Sequence, residues 1–493
     1  MSYLAIAPNP TLAYLTFLKF QIMKTIISVI AITITTLGAQ AQINFSATDL
    51  PPAMYGCGDW ITIDSSTNEQ AILIGGETSN GAPNAAVRLL GQDNNLNWIV
   101  KHNFYLESEE PRSAFFYEDN YVYIAIVTLF QELKIFRALM DGNANFSEVY
   151  SSLDIGYIRA TITAIDINDD GYEDFLFSGF PYTGQAPDVG LIQNNGNGTF
   201  SSASPPSNIP QANGGYYKSG YFDASGRKHL VVIGDVDAVF ENEGNGVFTQ
   251  VFLLENTPRH VHVAITDLDN DGLNDISVTG PNDTDDSGVM LYKNLGNLNF
   301  QSYDTAYTGL PNTYYGETEY EDFNNDGYMD AVVLGKLLDN TVVTKIYFGS
   351  DDFKFFGDEF TLNDQSGNPI NLSNGTVDLR DYNNDGMFDI LLTGRTAITS
   401  EPESWLLTNT STLSVNTFEE NRFIIYPNPA RDIISFKGID AIKSINVFNQ
   451  LGQKVLSAKN TQSLNVESLD AGMYLVQITD LKHVSIQKKI IKQ

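Results

Sequence analysis

The sequence predicts an all-β protein in which a seven-bladed β-propeller precedes a small C-terminal β-sandwich. Seven similar segments recur at intervals of about 44 to 59 residues, which suits one four-stranded propeller blade. Aromatic residues make up 12% of the chain, and Gly, Asn and Asp are frequent, a composition that favours strands and turns over helices. The 493 residues are too many for one ordinary core, so a repeat array or several domains are expected.

Four of the seven segments contain the same nine-residue loop, Asp-x-(Asp/Asn)-x-Asp-Gly-x-x-Asp. The first to fourth loops span residues 166–174, 267–275, 322–330 and 381–389. An apolar run typical of a β-strand follows each loop. Weaker copies begin at Asp64, Tyr117 and Asp223, where two residues are missing and a shorter turn replaces the loop. The complete and weaker copies together predict seven blades.

The carboxylates of these loops predict a metal site in each loop. Like charges ~4 Å apart repel by about 4 kcal/mol at an effective dielectric of ~20, and a divalent cation removes that cost. Ca²⁺ accepts six to eight oxygens and tolerates irregular geometry, so we expect four Ca²⁺ ions, with a backbone carbonyl at position 7. The expected ligands are Asp166, Asn168, Asp170, Tyr172, Asp174, Asp267, Asp269, Asp271, Leu273, Asp275, Asp322, Asn324, Asp326, Tyr328, Asp330, Asp381, Asn383, Asp385, Met387 and Asp389.

Other interpretations of the loops fit less well. An EF-hand shares positions 1 to 6 but needs flanking helices and a Glu at position 12, where these loops have Phe177, Val278, Val333 and Leu392. Mg²⁺ prefers octahedral sites that keep water. A metal-free turn is the alternative for a single loop, but four copies in one register favour the ion. No general base or nucleophile stands out beside the loops, so we expect calcium to have a structural role.

The N-terminal end of the mature chain is predicted to close the propeller. The seventh segment loses the repeat pattern after residues 405–409, so its outer strand is missing. Residues 43–47 resemble 144–148 and 198–202, which end earlier blades. We therefore expect 43–47 to pair with 401–409, an arrangement that removes two exposed sheet edges.

Polar residues recur five and seven positions before the start of each segment. Alternate residues of a strand share a face, so these positions would ring the mouth of the central channel, away from the calcium loops. Solvent-exposed strand starts are the alternative. The candidate ligand-binding residues are Arg112, Arg159, Tyr216, Lys218, His260, His262, Tyr315 and Glu317. The loops 76–84, 180–188, 281–288 and 395–403 form a second candidate surface.

Residues 48–410, which include the four carboxylate loops, resemble the FG-GAP/VCBS repeats of integrin-α-type β-propellers. The resemblance lies in the loop consensus, the strand after it and the short sequences Gly179-Phe-Pro181 and Gly280-Pro281. It implies a seven-bladed propeller over 42–412, with calcium on one face and ligand recognition on the other. Three segments lack the loop, which puts calcium there in doubt.

Residues 423–493, after a linker at 413–422, resemble the type A sorting domain of type IX secretion in Bacteroidetes. Four features carry this resemblance: the motif Tyr426-Pro-Asn-Pro-Ala430, the segment 445–455, the segment 471–474 and the basic segment 488–492. The residues themselves predict a small immunoglobulin-like sandwich, for which an ordinary adhesion module is the alternative. The resemblance implies the type IX secretion machinery as a partner, export to the cell surface and removal of this domain there.

The N-terminus predicts a signal peptide over residues 1–41, with the true start at Met23. This segment has the form of a cleavable signal, in which a basic residue precedes an apolar run over 26–37 and a small-x-small cleavage motif at 39–41. Residues 1–22 then come from a misassigned upstream start. A membrane anchor over 11–37 is the alternative, but two lysines interrupt it. We expect a secreted or cell-surface mature chain with no transmembrane span.

Charge and cysteine content narrow the class of partner. The net charge is −32 and its acidic excess lies between 43 and 417, which opposes nucleic-acid binding and attracts cations. Cys57 is the only cysteine, so no intrachain disulfide forms.

We expect a non-catalytic binding or adhesion scaffold for an extracellular protein or glycan. The alternative is a calcium-dependent carbohydrate-active enzyme, a polysaccharide lyase or hydrolase, on the same propeller. Against it, no Ser/His/Asp or His/Cys constellation stands out. The five histidines are His102, His229, His260, His262 and His483. His260 and His262 form the only close pair, for which a structural or surface role is expected over a transition-metal site.

Overall fold

The computed structural model describes residues 43–411 and 424–493 with short gaps. The gaps lie at 79–85, 105, 107–110, 129–132, 153–156, 182–187, 213–214, 256, 258–261, 281–287, 338, 351–352, 358, 398, 438–441, 450–453, 460 and 481–484. The predicted signal peptide and linker, 1–41 and 413–422, lie outside the described residues. The chain divides into two compact units, of which the larger comprises 43–323 and 328–411.

The larger unit contains seven antiparallel sheets among its described residues, and six of them follow one another as four-strand meanders. Strand β1, Phe45–Asp49, precedes all of these. The first sheet contains β2 Met54–Asp64, β3 Glu69–Glu77, β4 Ala86–Gln92 and β5 Trp98–Asn103. The second contains β6 Arg112–Glu118, β7 Tyr121–Val127, β8 Leu133–Leu139 and β9 Ser147–Ser152. The third contains β10 Tyr157–Ile165, β11 Asp174–Pro181, β12 Asp188–Asn194 and β13 Phe200–Ala203.

The next three sheets repeat this order. The fourth sheet contains β14 Tyr216–Gly220, β15 His229–Ile233, β16 Ala238–Gly244 and β17 Val247–Leu253. The fifth contains β18 His262–Thr266, β19 Asp275–Thr279, β20 Val289–Asn294 and β21 Phe300–Tyr303. The sixth contains β22 Thr313–Glu321, β23 Asp330–Leu337, β24 Val342–Tyr347 and β25 Glu359–Thr361. A single helical turn, Thr305–Thr308, separates the fifth sheet from the sixth.

The seventh sheet is assembled from both ends of the larger unit. It contains β26 Leu372–Ser373, β27 Val377–Arg380, β28 Asp389–Thr396 and β29 Pro402–Asn409, with β26 and β27 both paired to β28. Strand β1 adds to β29, with Phe45 opposite Asn409 and Asp49 opposite Trp405. The predicted pairing of the N-terminal segment with the last sheet is thus confirmed, although the strand begins at Phe45 rather than at residue 43.

The second strand of each sheet is the most apolar because neighbouring sheets cover both of its faces. In β7 (YVYIAIV) every residue after Tyr121 is buried, and in β15 (HLVVI) all five residues are buried. Each hydrophobic cluster of the larger unit therefore combines side chains from two adjacent sheets. One such cluster joins the first sheet to the seventh through Trp60, Ile72, Leu391 and Leu406.

The first strands of the sheets lie beside one another in a closed order. Strand β2 contacts β6, β6 contacts β10, β10 contacts β14, β14 contacts β18, β18 contacts β22, and β22 contacts β27. Strand β27 in turn contacts β2. We call these seven the inner strands. Their closed order and the four-strand meanders make the larger unit propeller-like.

The smaller unit contains two sheets in its described residues. Its strands are β30 Ile424–Tyr426, β31 Ile433–Lys437, β32 Ile442–Phe448, β33 Lys454–Lys459, β34 Ser463–Asn465, β35 Gly472–Asp480 and β36 Ser485–Lys492. One sheet has the order β30-β31-β34 and the other β33-β32-β35-β36. Buried side chains of both, including Ile434, Phe436, Ile445 and Val476, form one core.

Candidate functional site

Each carboxylate loop joins the first strand of a sheet to the second. The first loop follows Ile165 and its last residue, Asp174, begins β11. The other loops connect β18 to β19, β22 to β23 and β27 to β28 in the same way. The glycine at position 6 adopts a left-handed backbone, with φ of 89° at Gly171 and 91° at Gly272. The loops therefore occupy equivalent positions in four sheets.

The last Asp of each loop is buried and holds two backbone segments together. In the second loop Asp275 accepts the N–H of Leu268 at 2.9 Å and the N–H of Asn294 at 2.7 Å. Asp174 accepts the N–H groups of Ile167 and Asn194 in the same manner. Burial raises the pKa of both carboxyls to about 7. A nearby cation would therefore stabilise the charged form.

The first Asp of a loop shapes the turn through its own carboxylate. In the second loop, Asp267 accepts the N–H of Asp271 at 3.0 Å and that of Gly272 at 2.8 Å. Asp166 and Asp381 accept the N–H of the loop glycine in the same way, at 2.8 and 2.9 Å. These bonds hold the carboxylate of the first residue against the backbone of its own turn.

The second loop provides a direct test of whether a metal ion would fit. Oxygens of Asp267, Asp269 and Asp275 lie within 4.8 Å of one another. An all-oxygen set of carboxylates is the donor type that Ca²⁺ prefers, so these residues fit the ion. The other loops carry Asn at position 3 and so have one carboxylate fewer among positions 1, 3, 5 and 9. The carbonyl ligands at Tyr172, Leu273, Tyr328 and Met387 stay predictions.

A second group of polar residues lies on the inner strands. Nε2 of His262, on β18, lies 3.4 Å from Oε1 of Glu319 and 3.9 Å from Oε2 of Glu317, both on β22. The ring of Tyr216, on β14, packs edge-on against His262 with centroids 5.7 Å apart. We call Asp59, Tyr216, Lys218, His262, Glu317, Glu319 and Asp378 the inner-strand cluster.

Lys218 lies at the electrostatic centre of this cluster. Burial opposes its charge, but Tyr216, Glu319, Asp59 and Glu317 together raise its pKa well above the ordinary value. Lys218 therefore keeps its ammonium group at neutral pH. The charged lysine also helps to keep its neighbour His262 neutral: burial, and then Lys218, lowers the pKa of the imidazole to about 3. His262 Nδ1 has no hydrogen-bond partner among the described residues.

The acidic members of the cluster resist ionisation because they are enclosed by protein. Burial raises the pKa of Glu317 and Glu319 to about 8 and that of Asp378 to about 7. Glu317 Oε2 accepts the N–H of Val377 at 2.9 Å, and Asp378 Oδ2 accepts the N–H of Trp60 at 2.8 Å. The side chains of Glu317 and Glu319 are nevertheless 17% and 25% exposed, so they are not sealed in the core. The cluster thus combines two glutamic acids that are largely protonated at neutral pH, a neutral imidazole and an ammonium.

The predicted ring of ligand-binding residues is only partly assembled. Tyr216, Lys218, His262 and Glu317 come together, and Arg112 lies near enough to influence the pKa of Tyr216 and Glu317. Arg112 Nη1 also donates to the carbonyl of Gly56 at 3.3 Å. The side chain of Arg159 and all of His260 lie outside the described residues.

The expectation that positions five and seven residues before the loop share a face is wrong for β22. A bulge between Tyr314 and Glu317 shifts the register, and Tyr315 adopts φ of 54°. Its side chain is 51% exposed and lies against Tyr314 instead of joining the cluster. An extra residue in a strand reverses the alternation of side chains beyond it.

Three members of the cluster were not among the candidate residues. Asp59 lies at the considered position five residues before Asp64, whereas Glu319 and Asp378 lie at a position that was not considered. Glu319 and Asp378 each lie three residues before the loop that follows them. Alternate residues share a face, so an inward position five residues before the loop implies another three residues before it. The alternation of side chains along a strand could therefore have identified Glu319 and Asp378. Most of the other inner strands, however, carry a small or apolar residue three positions before their segment.

Family comparisons assign two regions of the chain. Residues 267–333 match the FG-GAP-like repeat, and residues 424–493 match the secretion system C-terminal sorting domain. The second match indicates secretion through the type IX system to the cell surface or extracellular space. In the described residues, no helix has the length and apolar character needed to span a bilayer.

Comparison with individual proteins gives one partial relative and propeller lectins. The chain is 36% identical over 93 residues to the ulvan lyase NLR42 of Nonlabens ulvanivorans, covering 18% of this chain and 17% of that protein. The BP39L lectin of Burkholderia pseudomallei has a TM-score of 0.50 at 10% identity, covering 74% of this chain and 98% of that chain. The six-bladed fungal Aleuria aurantia lectin has a TM-score of 0.34 at 11% identity, covering 76% and 97%. The likeness to BP39L supports a propeller-like fold and nothing finer.

Proposed function

We propose that this chain is a secreted, calcium-binding, seven-bladed β-propeller that acts as a non-catalytic binding or adhesion scaffold. The observation that carries the proposal is the inner-strand cluster, in which polar side chains from separate sheets meet at one place. Calcium ions in the four loops rigidify the opposite side of the sheets. The ligand is an extracellular protein or glycan.

The inner strands support the proposed blade number. Their closed order runs from β2 through β27 and back to β2, and each neighbouring pair of sheets shares a hydrophobic cluster. The seventh blade is completed by β1, which leaves no outer position unfilled in that sheet. We infer seven blades from this arrangement.

The calcium role is structural because the loop carboxylates face their own backbone. Asp174, Asp275, Asp330 and Asp389 each accept an N–H at the start of the loop and another at, or just after, the end of the third strand. An ion held by these residues would fix three strands of a blade at once. We therefore expect chelation to lower the melting temperature without changing the secondary structure.

Ligand recognition is assigned to the inner-strand cluster. Such a set of neutral acids, a phenol, an imidazole and an ammonium offers both hydrogen-bond donors and acceptors within a small space. The hydroxyl groups of a glycan, or a polar peptide side chain, match that chemistry. Strong polyanions do not, because the chain carries a net charge of −32.

The test combines calcium titration with a glycan array and polysaccharide-degradation assays, with and without chelator. We expect about four Ca²⁺ ions per chain and array binding without degradation. Lys218→Met with His262→Gln should abolish array binding, whereas Lys345→Met, on β24 and outside the cluster, should not. Unchanged binding by the double variant would rule out the cluster as the site.

The second candidate is a calcium-dependent carbohydrate-active enzyme, a lyase or hydrolase. The same cluster favours it, because a neutral imidazole, a protonated phenol and an ammonium can serve as base, acid and electrostatic partner. The partial identity to an ulvan lyase is in accord with either candidate. Release of unsaturated or reducing sugar ends by the wild type, lost in the double variant, would favour the enzyme.

The smaller unit, residues 423–493, is proposed to be the immunoglobulin-like domain that the type IX machinery handles and removes at the surface. Its two sheets share one core, which supports independent folding. Mass spectrometry of the secreted protein should find the chain ending before residue 424.

A further inference from the structure

The bulge near the start of β22 leaves a tyrosine ring in contact with solvent. The register with β23 shifts between Tyr314 and Glu317, and Tyr315 adopts a left-handed backbone with φ of 54°. That conformation is unfavourable for a residue with a large side chain. The side chain of Tyr315 is 51% exposed. The fold therefore holds a large aromatic side chain at the surface in a backbone conformation that such residues usually avoid.

The neighbouring backbone imposes this conformation on Tyr315. Its carbonyl accepts the N–H of Asn374 at 2.6 Å. A Cβ on the next residue, Gly316, would lie 1.8 Å from the carbonyl oxygen of Leu334, so the bulge passes too close to β23 for any side chain there. The tyrosine thus takes its backbone shape from the contacts around it.

The seventh sheet has the counterpart of this bulge, where the chain passes from β26 to β27. Asn374 adopts φ of 56°, and a Cβ on the following Gly375 would lie 1.8 Å from the carbonyl oxygen of Thr393. Tyr315 and Asn374 both lie seven residues before the carboxylate loop that follows them. Asparagine tolerates a left-handed backbone, so it would suit the bulge of β22 as well. The presence of tyrosine there is therefore explained by its ring rather than by its backbone.

Tyr315 lies beside the inner-strand cluster. Glu317 follows it by two residues on β22, so their Cα atoms are at most about 7 Å apart. Oε2 of Glu317 accepts the N–H of Val377, and the carbonyl of Tyr315 accepts that of Asn374. Both residues thus contact the same short segment, 374–377, of the seventh sheet. An exposed aromatic ring adjoins a group of hydrogen-bond donors and acceptors.

A sugar ring matches this combination better than a protein surface does. Its C–H face is apolar and its edge carries hydroxyl groups, so the face can pack on a tyrosine ring while the hydroxyls form hydrogen bonds. Aromatic anchors of protein interfaces are instead enclosed by residues that exclude water. Tyr315 is half exposed, and its aromatic neighbour Tyr314 donates its hydroxyl to Oδ1 of Asn340 at 3.4 Å and has Nζ of Lys336 5.9 Å from its ring centre. The surroundings of the ring are thus polar.

We propose that Tyr315 is an aromatic subsite for a neutral glycan, in which a sugar ring packs on the tyrosine while hydroxyl groups of the same glycan bond to the inner-strand cluster. This subsite rests on the proposed binding function of the cluster and narrows its ligand from a protein or glycan to a glycan. The ligand is neutral because the chain carries a net charge of −32, which repels polyanions.

An array of neutral oligosaccharides, probed with the full secreted chain, tests the subsite. Tyr315→Asn suits the backbone and removes the ring, so it should weaken binding of the wild type's best array members by about tenfold or more. Its melting temperature should stay the same or rise. Tyr315→Phe keeps the ring face and should bind like the wild type. Tyr221→Asn is the matched control, since Tyr221 is 48% exposed, and it should leave binding unchanged.

Nitration of tyrosine, located by mass spectrometry, follows the ring itself. The array member that binds best should slow nitration of Tyr315 and leave the rate at Tyr221 unchanged. Equal nitration of Tyr315 with and without that glycan would overturn the subsite.

The array also separates failure of the subsite from failure of the proposed function. Glycan binding that survives Tyr315→Asn but is lost in Lys218→Met with His262→Gln would overturn the subsite and leave the cluster as the binding site. Binding that survives both changes would overturn the subsite and the cluster. A wild-type chain that binds a protein but no neutral glycan would overturn the glycan assignment while the binding function stands.

Discussion

The indole of Trp60 stacks on the ring of Tyr382, with centroids 5.2 Å apart and planes 7° from parallel. Trp60 belongs to β2, in the first sheet, and Tyr382 to the fourth carboxylate loop, in the seventh sheet. The contact therefore joins residues more than 300 positions apart at the closure of the larger unit. Trp60 is 1% exposed, and its backbone N–H also donates to Asp378 of the inner-strand cluster.

Trp60→Ala should destabilise the closure of the larger unit. Loss of a buried Trp costs about 3–5 kcal/mol in the free energy of unfolding. Denaturant unfolding and limited proteolysis measure the effect, with early cleavage expected in both the first and the seventh sheet. Leu96→Ala, at a residue 73% exposed, is the control and should change little. Cleavage confined to one sheet would argue against a closure role.

Asp389→Ala should lower stability even without calcium. Its carboxylate accepts the N–H of Asn409 at 2.7 Å and that of Tyr382 at 3.2 Å, and the substitution removes the partner of one buried and one partly buried donor. Each unsatisfied donor costs about 1–3 kcal/mol. Urea unfolding in chelator is the measurement. Asp339→Asn, in an exposed turn, is the control, and equal effects of the two changes would contradict this account.

The stability of the calcium-free protein should fall as the pH rises from 7 to 9. Burial raises the pKa of Glu317 and Glu319 from 4.5 to about 8, so the folded protein holds protons that the unfolded chain has released. The stability that these protons provide is complete below about pH 4.5 and is lost as the pH passes through 8. His262 is neutral in both states above pH 7, so it does not oppose the trend.

Melting temperatures in chelator measure this dependence. Glu317→Gln with Glu319→Gln should flatten the curve between pH 7 and 9, because the amides do not titrate. The buried loop carboxyls contribute a smaller trend near pH 7 in both proteins. Parallel curves for wild type and double variant would show that the two glutamates titrate normally.

Cys57 should be unreactive in the folded protein. The thiol is buried, and burial, followed by the charge of Asp59, raises its pKa to about 12. Thiolate is the reactive species, so a disulfide reagent at pH 8 should react slowly until guanidinium unfolds the chain. Fast reaction of the native protein would place Cys57 on an accessible surface. The rate in guanidinium serves as the reference.

Local residue patterns were enough to predict the strands and the loops. Asp-x-(Asp/Asn)-x-Asp-Gly shapes its own turn through backbone hydrogen bonds, as Asp267 does with Gly272, so it needs no distant partner. The pairing of β1 with β29 was also predictable, because an unfilled sheet edge and an unassigned strand had the same pattern. The inner-strand cluster was only partly predictable, because the bulge at Tyr315 changes which side chains face inward.

The sequence by itself determined that this is a secreted, repeat-built β-protein with four carboxylate loops, because those features depend on neighbouring residues along the chain. Only the tertiary structure decided that Lys218, His262, Glu319 and Asp378 meet, and that Lys293 reaches Asp269. Those contacts join separate strands, most of them from different sheets. Their charge states and distances follow from packing, which places residues far apart in sequence within one poorly solvated space.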